Sequence, residues 1–534
     1  MQLFDSQKEA LTTLERDGRG FFSIGVGGGK TLLGLLAHRA LGVDPQDVLV
    51  LTKNDLISEA EEEFHKFKDE LELDELDYKS YFWLSRNERY FWEVKPKLIV
   101  ADECHKLKNK SAKRTAYFLQ YMKDYPEARF VPMSGSISSK SILEYAHLMK
   151  LALREYYPLP DPSSRFGWSR LQAIARVIDS RPREQPTKSD FRRVAHMLNK
   201  RPDETYEEAY YRILRSAKGV YMMEGAAYEG PIDVEYYYYE LPDKLKNDIA
   251  RVKNTAQLPD EEWVTGQTDL AQKVRQLPLG FYYRDIELDC HTPEWRAARR
   301  EKDQLIGEIK RREKRKKYGI LTASGIENAL RKGDFSDPRW ERWKPFADVP
   351  PPRRETVPLN AAPLAQTVIF ALELAESEGQ NVLLWYQSRA IRKMLRKALD
   401  TGCIGPYTLN RQGVSDFRLD SARLVVAEKG EAPPREIDDG PIVSAVSIPS
   451  HGTGLNLQHD YAINVVLEPP SSGGIWEQFL GRTHRPGQEE EVICYTNGVT
   501  PVFRAMLRKG RKDAEYVYKT LKQMQKLKQA DKKR

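Results

Sequence analysis

Cysteine is scarce. The four in 534 residues (Cys104, Cys290, Cys403, Cys494) are far apart and form no CxxC pair, which excludes a disulfide framework and argues against a zinc site. No run of about 18 apolar residues occurs, so no membrane span is expected. The opening MQLFDSQKEA has no basic region followed by an apolar one, so no secretory signal is read. Neither sign of charge dominates: 85 Lys and Arg face 78 Asp and Glu, a net of +7. Charged residues make up 31% and hydrophobic ones 40%, the balance of a soluble globular chain, and the length is a soft prior for about three or four domains.

What is present begins with Ser23–Thr31, SIGVGGGKT. An apolar run leads into a glycine cluster, then Lys30 and Thr31, then Leu32–Leu36, a strand–loop–helix pattern. Glycines let backbone N–H groups turn inward, and a new helix N-terminus adds partial positive charge. A lysine here reaches the β and γ phosphates, and a threonine hydroxyl can ligate Mg²⁺. The long phosphate-loop pattern wants glycine where Ile24 stands. The shorter G-x-G-K-T is met by Gly27, Gly29, Lys30 and Thr31, with Gly28 between them. The plain alternative is a glycine-rich turn.

Upstream, Met1–Leu14 reads as an amphipathic helix carrying Gln7, whose amide can donate and accept at once, as an adenine edge requires. Downstream, Val48–Leu51 reads as a buried parallel strand, with Thr52 and Lys53 at its C-terminal end, where open α/β sheets place ligand loops. A helix is expected over Asp55–Phe67. Leu98–Ala101 is a further strand and runs into Asp102-Glu103-Cys104-His105. Adjacent acids at a buried strand end are costly without a cation or a proton-transfer task. Asp102 suits Mg²⁺, and Glu103 suits the role of base toward water. Favourable acids at a helix N-terminus are the structural alternative. The strand Phe130–Met133 ends in Ser134-Gly135-Ser136.

Between Leu151 and Pro358 the strand–helix alternation is lost. Tyr236–Tyr239 is a candidate strand, and Glu308–Lys317 is strongly basic, either a solvated helix face or a phosphate-contacting patch. Alternation resumes with strands at Val382–Trp385, Leu424–Ala427, Ile442–Ile448 and Ala462–Leu467, and a helix at Ser388–Leu399. Then come His451–Leu457 and Gln478–Gln488, QFLGRTHRPGQ. Arg482 and Arg485, three apart, are expected to share a helix face, where a bound anion would offset their repulsion. The tail Pro501–Arg534 has twelve Lys/Arg against three Asp/Glu, either a solubilising helix end or an arm for a phosphate backbone.

In order and spacing these motifs resemble superfamily 2 helicases, and within them the Snf2-like group. Gln7 looks like that family's adenine-reading glutamine and Gly27–Thr31 its motif I. Thr52 and Lys53 resemble the motif that touches the DNA backbone. Asp102–His105 is a DExH form of motif II, and Ser134–Ser136 is similar to motif III, with Ser136 where threonine is usual. Gly454–Leu457, with Asn456, resembles the GINL of motif V. Gln478–Gln488 closely matches QxxGRxHRxGQ, and Lys218–Leu241 looks like the Snf2 connecting region.

The resemblance implies an α/β fold of two RecA-like parallel-sheet lobes. Residues 1–155 form the first lobe, 156–355 a mainly helical inserted region and linker, 356–500 the second lobe, and 501–534 a basic C-terminal extension. It implies ATP and Mg²⁺. Thr31 and Asp102 sit at the metal. Gln7, Gly27, Gly28, Gly29, Lys30, Glu103, Gly454, Arg482 and Arg485 sit at the nucleotide. Lys30, Glu103, Gln478, Arg482 and Arg485 carry hydrolysis, the arginines as fingers. Thr52, Lys53, Ser134, Ser136 and Asn456 face nucleic acid. The expected protein is a DNA-dependent ATPase moving on duplex or forked DNA without sequence preference, with RNA as the other substrate. It is read as a monomer off the membrane, working beside replication, repair or recombination proteins. It resembles a compact prokaryotic or phage type, hence cytoplasmic, or nuclear in a eukaryote. The alternatives are a strand-separating DExH helicase, a motor with a nuclease partner, and a scaffold that does not hydrolyse.

Overall fold

Short apolar runs at the expected spacing become buried parallel strands, and they assemble into two six-stranded sheets. The computed structural model describes the chain apart from residues 1–2, 88, 111, 136–139, 181, 183, 265, 317–322, 334–335, 402, 405–406, 409–421, 429–430, 435–439, 453–454 and 532–534. The first sheet contains β1 (Phe21–Ser23), β2 (Val48–Thr52), β3 (Asp77–Ser80), β4 (Leu98–Ala101), β5 (Arg129–Ser134) and β6 (Val220–Met222), in the order β3-β2-β4-β5-β1-β6. All its pairs are parallel. Side chains alternate across it. Phe21, Leu49, Leu51 and Ile99 enter one core, and Phe22, Val48, Val50, Leu98 and Val100 enter the other. Burial on both faces explains why these strands read as continuous apolar runs.

In chain order there follow β7 (Ile232–Tyr237), β8 (Phe281–Ile286), β9 (Arg353–Pro358), β10 (Val382–Tyr386), β11 (Cys403–Ile404), β12 (Tyr407–Thr408), β13 (Arg423–Val426), β14 (Ile442–Ser447), β15 (Ile463–Val466) and β16 (Val492–Asn497). The second sheet has the order β13-β14-β10-β15-β16-β7, again all parallel. Strand β16 was not anticipated. β8 and β9 form an antiparallel ribbon. The helices Pro293–Lys316, Ala323–Lys332 and Pro338–Trp343 lie between them in sequence and enclose their own core of Trp295, Leu305, Ile309, Trp340 and Trp343. Of the basic stretch Glu308–Lys317, the part up to Lys316 falls on the end of the first of these helices, and Lys317 lies outside the described residues. The side chains from Lys310 onward lie outside the described residues.

The middle of the chain, expected to be mainly helical with a candidate strand at Tyr236–Tyr239, supplies β6 and β7 as one edge strand of each parallel sheet. Of the two readings of the tail, the structure favours the helix end, and that helix is packed. The helix Pro501–Leu521, started by Thr500 accepting from Phe503 N and by proline at its first turn, buries Phe503 in the second unit and Tyr516, Val517 and Leu521 in the first. Each fully buried side chain of this size contributes about 1.5–3 kcal/mol. Asp513 Oδ2 on this helix accepts from Gly473 N at 3.2 Å, which fixes the start of the helix Gly473–Leu480. Arg508, Lys512 and Lys519 lie on the exposed side of this helix, whereas Asp513 and, beyond the helix, Lys526 are buried. Among the described residues no helix is long and apolar enough to cross a membrane.

Candidate functional site

The glycine loop leaves β1 where Ile24 N donates to Ser134 O at 3.2 Å, and it closes on itself through Gly28 N to Gly25 O at 3.2 Å. Gly27 and Gly29 have φ of +86° and +75°, the left-handed region that glycine enters without strain. A Cβ on Gly29 would lie 2.2 Å from Gln7 Nε2. The helix Lys30–Ala40 starts directly after, with no side chain capping it, so its first N–H groups and the positive end of its dipole face the loop. Lys30 Nζ donates to Ile24 O and Gly25 O at 3.2 and 3.1 Å. Thr31 is partly buried in the first helical turn. Gln7 is 1% exposed and braces the loop: its Oε1 accepts from Phe4 N at 2.8 Å and its Nε2 donates to Gly29 O at 2.9 Å.

The acid pair follows β4 on the same sheet. Asp102 and Glu103 are each 8% exposed. Asp102 Oδ1 accepts from Glu103 N at 2.9 Å, and Tyr81 OH donates to Asp102 O at 2.6 Å. Glu103 has φ +52°, a strained backbone for a side-chain-bearing residue, and its Oε2 lies 2.9 Å from His105 Nδ1. Burial and the neighbouring Glu103 push Asp102 up. Burial also acts to raise Glu103, but the His105 hydrogen bond and the charges of Lys53 and Lys30 outweigh it, and Glu103 is held well below the usual carboxylate range. His105 is lowered by burial against the pull of Glu103. The adjacent carboxyls are thus pushed in opposite directions, Asp102 upward by burial and by Glu103, and Glu103 downward by His105 and the two lysines.

The arginines differ from expectation. The helix Gly473–Leu480 stops before them, and Arg482 and Arg485 lie in the turns that follow. The physical cause is punctuation by Gly481, Pro486 and Gly487, the last at φ +90°. Arg482 is 7% exposed and donates through Nε to Gln478 O at 3.2 Å and through Nη1 to Leu455 O at 3.1 Å. Arg485 Nη1 donates to Asn456 Oδ1. Asn456, expected at nucleic acid, therefore stands beside the arginine turn.

The fold brings the loop and this turn together. A Cβ on Gly27 would lie 3.5 Å from Pro486 Cδ and 3.7 Å from Arg485 Cβ, and one on Gly481 would lie 2.6 Å from Val26 Cγ1. Gly135 is as close to the loop, since its Cβ would be 3.5 Å from Lys30 Nζ. Lys30, the acid pair and the arginine turn thus occupy one seam between the two sheet units. Glu477, which the sequence reading passed over, is buried in that seam, and its Oε2 accepts from Lys526 N at 2.6 Å.

Lys53 and Gln478 line a cleft of about 480 Å³ between the units, beside Lys106 and Arg114. Burial lowers Lys53 to about 8 against the pull of Glu103. Thr52 and Ser134 are buried at the ends of β2 and β5, at 2% and 0% exposed, so neither presents its side chain at the surface. Ser136 and Gly454 lie outside the described residues. Phe82 and Arg114, in or at the cleft, were missed. The signal was the aromatic run Tyr81-Phe82-Trp83 after the strand ending at Ser80. A scan against protein-family models finds no match, and neither does a search of the curated proteins.

Proposed function

We propose that the chain is an ATP-dependent nucleic-acid motor of the Snf2-like kind, with the two sheet units as RecA-like lobes and ATP taken up in the seam between them. The observation that carries this is the contact of the glycine loop with the arginine turn, two segments some 450 residues apart in sequence. A loop of this type needs a source of positive charge opposite its lysine only if the phosphate is to be transferred as well as held.

The residues fit ATP with Mg²⁺. An uncapped helix start accepts phosphate oxygens, and Lys30 can exchange two carbonyl partners for them. Thr31 and Asp102 would hold the metal. Mg²⁺ commonly takes one or two protein oxygens and completes its shell with phosphates and water, and when bound it neutralises charge on the phosphates. Glu103, kept ionised, orients the attacking water and accepts its proton. Arg485 stabilises the charge that develops on the transferred group, and Arg482 holds the turn through its two carbonyl contacts. Hydrolysis that requires both lobes is thereby coupled to their separation, and so to grip on a strand laid across both.

The test is phosphate release with duplex DNA, single-stranded DNA, RNA and no nucleic acid. We expect stimulation by DNA that falls steeply as salt rises, because contacts to a phosphate backbone release counterions. A rate indifferent to every nucleic acid would refute the motor reading.

A further inference from the structure

The cleft beside the seam has a second chemistry besides its cations. Phe82 is 59% exposed, although Tyr81 and Leu84 on the same short helix Tyr81–Leu84 are buried. An aromatic ring left in water at the mouth of a cleft forgoes the burial its neighbours gain. The Arg86 guanidinium sits 4.4 Å from the ring centroid, the distance of a cation on an aromatic face. Across the cleft the second unit presents Ile448, Pro449 and Ile475. Lys53, Lys106 and Arg114 line the first unit's side, and none of the described lining residues is acidic. The wall is therefore cationic on one side and uncharged on the other, where Ile448, Pro449 and Ile475 stand with Gln387 and Gln478, and the exposed Phe82 ring, with Arg86 against it, lies between.

We propose that this cleft takes one unpaired strand of nucleic acid. One of its bases stacks on Phe82 against the Ile448–Pro449 ledge, and its phosphates run along Lys53, Lys106 and Arg114. The inference rests on the motor reading and names its substrate. Inside a duplex the faces of each base are covered by the neighbouring bases, so an isolated ring has nothing to stack on. In a single strand a base can be turned out, and stacking tolerates any base because each has a π-face. The slot has one wall from each sheet unit, so any movement between the units opens or closes it on the base. Phe82 is accordingly a specificity-determining residue, favouring single-stranded over duplex DNA.

The experiment is a fluorescence titration of an oligothymidylate carrying one 2-aminopurine, run beside a blunt duplex of equal length, with wild type, Phe82→Ala and Phe82→Trp. Wild type should quench the probe. Phe82→Ala should lose the quench and bind the single strand roughly tenfold more weakly, with duplex binding within about twofold, and Phe82→Trp should restore both. Equal weakening on strand and duplex would overturn the proposal, and so would an unchanged quench in Phe82→Ala. Wild type that binds duplex without quenching the strand overturns the stacking slot and leaves the motor reading standing. Wild type that binds neither overturns both. Melting curves of the variants keep loss of folding apart from loss of stacking.

Discussion

The ends of β1 and β10 solve one backbone problem in opposite ways. Each is a buried strand followed by a turn whose N–H groups require acceptors. After β10, Gln387 N and Ser388 N both donate to Glu468 Oε2, the second at 2.5 Å, and Gln387 Nε2 donates to Glu468 O at 2.8 Å. The fold supplies its own acceptor there, and that end of the second sheet is a structural joint. After β1 no side chain caps the helix Lys30–Ala40, and the nearest cation, Lys30, rests on two carbonyls. An anion from outside finds unclaimed N–H groups only at the end that lacks a built-in acceptor. The second unit's contribution is instead a cation, Arg485, delivered to the first unit's loop.

The sharpest way to break this comparison is to remove that cation. Arg485→Ala should lower ATP turnover on the order of 10³-fold or more while nucleotide still binds, since Lys30 and the loop are untouched. Turnover by phosphate release and affinity by titration with labelled nucleotide separate the two effects. Normal turnover would refute a site shared between the sheets.

The contact itself is the next target. Gly481→Ala places a methyl 2.6 Å from Val26 Cγ1 and 2.9 Å from Glu477 O. Overpacking of this kind costs about 1–3 kcal/mol. If the strain holds the turn away from the loop, turnover should fall roughly ten- to hundredfold. Val26→Ala removes the valine methyls and should recover part of the loss in the double variant. A double variant as slow as Gly481→Ala alone would place the cause in the turn's own backbone, at Glu477 O, and not in its fit to the loop.

What was legible in the sequence was local. β2, β4 and β10 announce themselves as apolar runs because both faces of each are buried. The acid pair was found because it directly follows one of them. β6 and β7 lack that signature, although the tyrosine run at Tyr236–Tyr239 marks a candidate strand that overlaps β7. β7 alternates buried and partly exposed residues and β6 has three residues, and only pairing with distant strands makes them strands. The helix expected for Arg482 and Arg485 failed because spacing was weighed above Gly481, Pro486 and Gly487. The tail was read by its charge count, although Phe503, Leu507, Ala514, Val517 and Leu521 already trace a helical stripe that the structure buries. The bracing of the loop by Gln7 and the closeness of Val26 to Gly481 depend on the folded arrangement of distant segments, which no spacing encodes.

The smallest expected effect tests the other side of the comparison. Burial raises Glu468, while hydrogen bonds from Ser388 and Gln387 pull it down without cancelling the rise. A carboxyl with a folded pKa above its unfolded value of about 4.3 stabilises fully below that value, and the contribution is lost as pH rises through the folded pKa. Both backbone donors use Oε2, so Glu468→Gln keeps an acceptor for them and carries no proton to lose. Wild type should therefore lose melting temperature relative to Glu468→Gln as pH rises from about 4.3 toward neutral. A difference that stays constant with pH, or one that moves in favour of wild type as pH rises, would mean that the carboxylate is held as an anion at the end of β10. In that case the end of β10 tolerates negative charge as the end of β1 is proposed to do, and the contrast between them would lie in the glycine loop alone.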